Sequence, residues 1–182
     1  MLKGKEGAIS GNRCGLEWSH LYAIKFVFAG NDIYGPMGVA VRSIAEVLGG
    51  ESVLGRPVSE MRELDAVVRE GLPESALKHV LDAVTAYDDG KGWEEYWNKI
   101  APQSRRGRKD RFSFQVSETI ERLAHLYALS FLIFRDPIDT SRFMLEPHPE
   151  LGDRKPVDVA LTEVGGREVE DVIERGLYGL PA

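Results

Sequence analysis

Ser113–Phe134, SFQVSETIERLAHLYALSFLIF, is the stretch that decides the fold. Ile120, Leu123, Ala124, Tyr127, Ala128, Phe131 and Leu132 recur at steps of three and four, which lays them along one broad face of a long α-helix. Ser113 stands where an N-cap belongs, and Asp136-Pro137 turns the chain away after Phe134. An apolar face this wide must be covered, so the segment is expected to be the central packing element. The chain on either side should supply the helices that cover it.

Upstream, Trp93, Tyr96, Trp97 and Ile100 fall on one face of a short helix whose aromatic side is expected to join the core. Asp88-Asp89-Gly90 breaks the preceding helix, in which Ala76, Leu77, Val80, Leu81 and Val84 repeat after Pro73 at a first turn. Ser59 to Glu70 reads as another helix, with Ser59 in the N-cap place, Met61, Leu64, Val67 and Val68 on one side, and Gly71 at its stop. Val39 to Leu48 is a short helix that Gly49-Gly50 should end. Residues 1 to about 38 carry seven glycines and read as a loose extension with one strand at Tyr22 to Phe28. Downstream, Thr140 to Leu145 and Pro156 to about Thr162 give short helices around Pro147 and Pro149. Arg167 to Glu174 gives a last one, after which Gly176 and Gly179 should loosen the tail. The expected fold class is mostly α, with no internal repeat.

With 43% hydrophobic and 29% charged residues, the 182-residue chain has the composition of a globular protein rather than a disordered one. Leu21 to Gly30 is strongly apolar, but Lys25 interrupts it and about 18 apolar residues are needed to span a bilayer. Ala29-Gly30 is a poor cleavage site, so a secretory leader is not expected. One cysteine, Cys14, closes no internal disulfide, and a reducing cytoplasm fits best. The net charge of -6 conceals a segregation of sign. Lys99, Arg105, Arg106, Arg108, Lys109 and Arg111 face the single anion Asp110, a net +5 between Lys99 and Arg111. From Glu146 onward nine anions stand against four cations, a net -5. The first stretch can contact phosphate and is the candidate DNA-binding set, with an arginine able to read guanine. The second can meet a basic protein surface.

Catalytic chemistry finds little purchase. His20, His79, His125 and His148 show no metal-ligand spacing, and the glycines lie in no phosphate loop or dinucleotide fingerprint. The acidic residues near the C-terminus lack a partner nucleophile. No enzyme, cofactor or metal is expected.

Leu151 to Gly179, LGDRKPVDVALTEVGGREVEDVIERGLYG, closely resembles the toxin-binding domain of antitoxins of the Xre/MbcA/ParS type. Pro147, Pro149, Leu151, Gly152, Lys155, Pro156, Asp158, Thr162, Gly165, Val169, Ile173 and Gly179 occupy that family's pattern. Phe143-Met144 and His148 stand where the family usually has tryptophan and asparagine. Val68 to Pro73 and Ser113 to Ala124 extend the resemblance upstream, while the interval between them is only weakly similar to the family's Xre-like helix-turn-helix. Residues 1–50 match no part of the pattern.

The resemblance implies a division into an N-terminal extension of unknown role (1–50), an Xre-like helical DNA-binding and dimerisation region (51–135) and a small helical toxin-binding domain (136–182). It further implies an antitoxin that neutralises a RES-domain toxin, one that acts on NAD or transfers ADP-ribose, by blocking its active site with the C-terminal segment. Such a chain would repress its own operon on operator DNA as a homodimer within a larger toxin–antitoxin complex. Arg167, Glu170, Glu174, Gly176, Leu177, Tyr178, Gly179 and Leu180 are the candidate toxin contacts, with Tyr178 as the aromatic anchor. The alternative is a transcriptional regulator without a toxin, whose C-terminal module serves dimerisation alone.

Overall fold

The computed structural model describes residues 39–102 and 111–178, and these are mostly helical. In chain order the α-helices are α1 (Val41–Val47), α2 (Gly50–Leu54), α3 (Met61–Glu70), α4 (Glu74–Val84), α5 (Trp93–Ile100), α6 (Phe114–Phe134), α7 (Pro137–Leu145), α8 (Pro156–Val159) and α9 (Glu163–Tyr178). A 3-10 turn, Pro149–Leu151, lies between α7 and α8. The expected strand at Tyr22 to Phe28 lies outside the described residues.

Helix α6 runs 21 residues, about 32 Å at 1.5 Å each. Ser113 caps it as expected, its side chain accepting from the Val116 N–H at 3.5 Å. Its first half is buried on one face, but Leu126 to Leu132 are seven consecutive buried residues. A helix buried all round needs partners on every side. Helices α1, α3, α4, α5, α7 and α9 all pack against it. One apolar cluster results, running from Val39, Ile44 and Leu48 through Leu77, Leu81 and Tyr127 to Val169 and Ile173.

Two buried serines brace the segments that α6 and α7 gather. The Ser117 hydroxyl accepts from the Leu72 N–H at 2.8 Å and donates to the Ser113 carbonyl at 3.0 Å, fastening the α3–α4 corner to the start of α6. Phe112 N–H to Leu72 carbonyl, at 2.9 Å, completes that join. In α7, the Ser141 hydroxyl accepts from Tyr87 N–H at 2.8 Å and donates to the Val84 carbonyl at 2.6 Å, tying down the end of α4.

Several boundaries differ from the sequence reading, each for a local reason. Gly49-Gly50 ends α1 but does not end the helical run: with φ of 103° and 66° the pair redirects the chain into α2. A Cβ on Gly49 would come within 2.5 Å of Val53 Cγ2, so only glycine turns there. Glu60, not Ser59, is the N-cap of α3. Glu63 reaches back to accept from the Ser59 and Glu60 N–H groups at 2.8 and 3.0 Å, and these backbone bonds hold its carboxyl below the usual range. Helix α7 begins at Pro137 because Asp136 accepts from the Ile138 and Asp139 N–H groups, which makes Asp136-Pro137 a helix start. Pro73 likewise sits at the N-cap of α4, one position before the first turn.

The Ser141 brace yields a first test. Ser141→Ala leaves both the Tyr87 N–H and the Val84 carbonyl without this partner in a buried site, and should cost about 1–3 kcal/mol in chemical denaturation. A change within a few tenths of a kcal/mol would mean that the brace is not part of the folded core.

Candidate functional site

The C-terminal residues form a module whose turns are stitched to its helices. After α7, His148 opens the 3-10 turn: its carbonyl accepts from Leu151 and Asp153 N–H groups at 3.0 and 3.1 Å, and its Nδ1 accepts from Glu150 N–H at 3.3 Å. Gly152 and Asp153, with φ of 65° and 56°, reverse the chain over the fully buried Leu151. Arg154 then donates to the Leu151 carbonyl at 2.7 Å and to both oxygens of Glu168 at 3.0 and 3.1 Å, joining the turn to α9. Arg175 binds Glu150 at 2.7 Å from the far end of the same helix.

Glycines let α9 come close. Thr162 caps it, accepting from Gly165 N–H at 3.0 Å, and a Cβ on Gly165 would overlap the Val159 carbonyl. A Cβ on Gly166 would strike the Arg122 side chain, whose guanidinium donates to the Ala160 carbonyl at 3.3 Å. Val169, Val172 and Ile173 are buried, and the helix packs on α6. Glu121 on α6 is raised above the usual carboxylate range by burial, with His125 opposing the shift. His125 Nε2 stands 4.0 Å from Glu170.

Two surfaces of this module are open. Along α9, Val164, Arg167, Asp171 and Glu174 are exposed at steps of three and four, so they share one outward face. Two depressions of about 390 and 230 Å³ share Phe134, Phe143 and His148 as walls, the larger lying along α7 and the smaller between α7 and α9.

Residues 130–179 match the antitoxin Xre/MbcA/ParS C-terminal toxin-binding domain. The match covers α7, the 3-10 turn, α8, α9 and the end of α6, the parts just described. No curated protein matches the chain.

Within the matched segment the family's pattern positions have physical work. His148, in the place usually held by asparagine, caps the turn through Nδ1. Asp158 accepts from Lys99 at 2.8 Å and so joins α8 to α5.

The candidate toxin contacts do not form one group. Arg167 and Glu174 share the outward face of α9, Arg167 paired with Glu163 at 2.6 Å, while Glu170 flanks them toward His125. Gly176 belongs to the wall of the smaller depression, and Leu177 packs partly on the core. The last helix runs to Tyr178, so Gly176 does not loosen a tail: a buried stripe ending in Leu177 outweighs the roughly 1 kcal/mol that glycine costs in a helix. Tyr178 closes that helix, and Gly179 and Leu180 lie outside the described residues.

The candidate DNA contacts divide similarly. Lys99 is held between Glu95 at 2.6 Å and Asp158 at 2.8 Å, and those bonds raise its pKa above the usual lysine range. Arg111 donates to the Gly71 carbonyl at 2.7 Å. Both therefore serve the fold. Arg105, Arg106, Arg108 and Lys109 lie outside the described residues. Trp93 and Trp97 stack on each other at 4.9 Å and pack partly on the core, with Trp93 Nε1 donating to Asp82 at 3.0 Å. Among the described residues no cluster of His, Cys, Asp and Glu could hold a metal, and no helix is long and apolar enough to cross a membrane.

Proposed function

We propose that this protein is an antitoxin that binds a RES-domain toxin through its C-terminal module, blocks the toxin's active site with the segment that follows α9, and represses its own operon as a homodimer in the cytoplasm. The observation that carries this reading is the match of residues 130–179 to the toxin-binding domain, together with a module built to hold α9 in one place. Asp171 and Glu174 make no ion pair with the described residues and remain available to a basic toxin surface.

Coexpression with a RES-domain toxin tests the first half. The full chain should restore growth and cellular NAD, whereas a chain ending at Tyr178, the last residue of α9, should bind the toxin and fail to silence it. Full protection by the shortened chain would refute blockage by the terminal segment.

DNA binding rests on the basic segment between α5 and α6. With Lys99 and Arg111 engaged in the fold, Arg105, Arg106, Arg108 and Lys109 are the phosphate contacts, and two such segments in a dimer would suit half-sites about one helical turn apart. At about -0.9 per contact, log K against log salt should fall with a slope of about -3.6 per protomer on operator DNA. A flat salt dependence would exclude phosphate contact by this segment.

A further inference from the structure

The two depressions beside α7 share an aromatic ridge. Phe134 and Phe143 lie 5.6 Å apart between ring centroids, and Phe143 meets His148 edge-on at 5.8 Å. Phe134 is 38% exposed although it closes the most buried helix of the fold. The rim is ordered by a chain of contacts: Asp139 pairs with Arg142 at 2.8 Å, the Arg142 guanidinium lies 5.3 Å over the Tyr87 ring, and the Tyr87 hydroxyl donates to Glu146 at 3.0 Å. Arg142 is thereby paired with Asp139, while the Glu146 carboxylate accepts from the Tyr87 hydroxyl and makes no ion pair with the described residues.

We infer that the Phe134–Phe143–His148 ridge seats an apolar segment of the toxin, with a lysine or arginine of that segment pairing with Glu146. This rests on the toxin-binding reading above and assigns it a second contact surface, apart from the outward face of α9 and the terminal segment. Two observations select this occupant. Every residue lining the two depressions falls within the span that matches the toxin-binding domain. The uncompensated carboxylate at the rim calls for a cation from the partner. An exposed ring, Phe134, backed by the half-buried Phe143 and His148 with a carboxylate nearby, supplies contact area from side chains already held in place. The combined volume, about 390 and 230 Å³, suits several side chains of a segment rather than a single one.

The test uses the full chain and a purified RES-domain toxin with its catalytic activity disabled, titrated to obtain Kd. Phe134→Ser and Glu146→Lys should each weaken binding about ten-fold or more, as expected for groups at the centre of an interface. Glu94→Lys, on the exposed side of α5, should leave binding unchanged. The loss in Glu146→Lys should shrink as salt rises. Because Phe134→Ser could loosen the end of α6, the exposed Glu146→Lys variant carries the decision, with thermal unfolding confirming an intact fold. Wild-type affinity in a folded Glu146→Lys protein overturns the ridge while leaving the toxin reading standing. Failure of the wild-type chain to bind any RES-domain toxin overturns both. A change in oligomeric state of the free Phe134→Ser protein, with toxin affinity kept, assigns the ridge to a second copy and likewise overturns the inference.

Discussion

Burial of Leu126 to Leu132 of α6 on all sides is the constraint from which the architecture follows. Leu126 to Leu132 have no solvent face, so every direction around them must be filled by another helix, and the polar groups among them must be satisfied internally. Ser130 donates to the Leu126 carbonyl at 2.8 Å, and the Tyr127 hydroxyl donates to the Pro137 carbonyl at 3.4 Å. Burial raises the Tyr127 hydroxyl above the usual phenol range, so it stays a neutral donor in this position. Helices too short to be stable alone become stable by covering α6. The apolar face of α9 is one of these covers, and the segment that matches the toxin-binding domain is therefore continuous with the core of the described residues.

Much of the helical fold was legible because its signals are local. Trp93–Ile100 and Ser113–Phe134 were readable from period and cap, since both depend on neighbours three or four positions away. Helix α2 was hidden by a glycine pair that normally means a stop, and the extent of α9 was hidden by Gly176, whose cost is offset by tertiary packing. The resemblance to the toxin-binding domain was legible through turn residues whose spacing reflects close approaches, such as Gly165 against the Val159 carbonyl. The partners of charges were not legible. Lys99 and Asp158 are 59 positions apart, and only the fold shows that they neutralise each other. The ridge was missed for the same reason: Phe134 and Phe143 belong to different helices and meet only because Arg135, at φ 53°, turns α6 toward α7.

The account stands on the C-terminal module being the surface where another protein docks. Hydrogen–deuterium exchange of the chain, free and saturated with a RES-domain toxin, reads this directly, because backbone amides slow where a partner covers them. Slowed exchange in α7, the 3-10 turn and α9, with α3 and α4 unchanged, is the predicted pattern. Slowing confined to residues 39–100, with α7 and α9 exchanging as in the free protein, would contradict it.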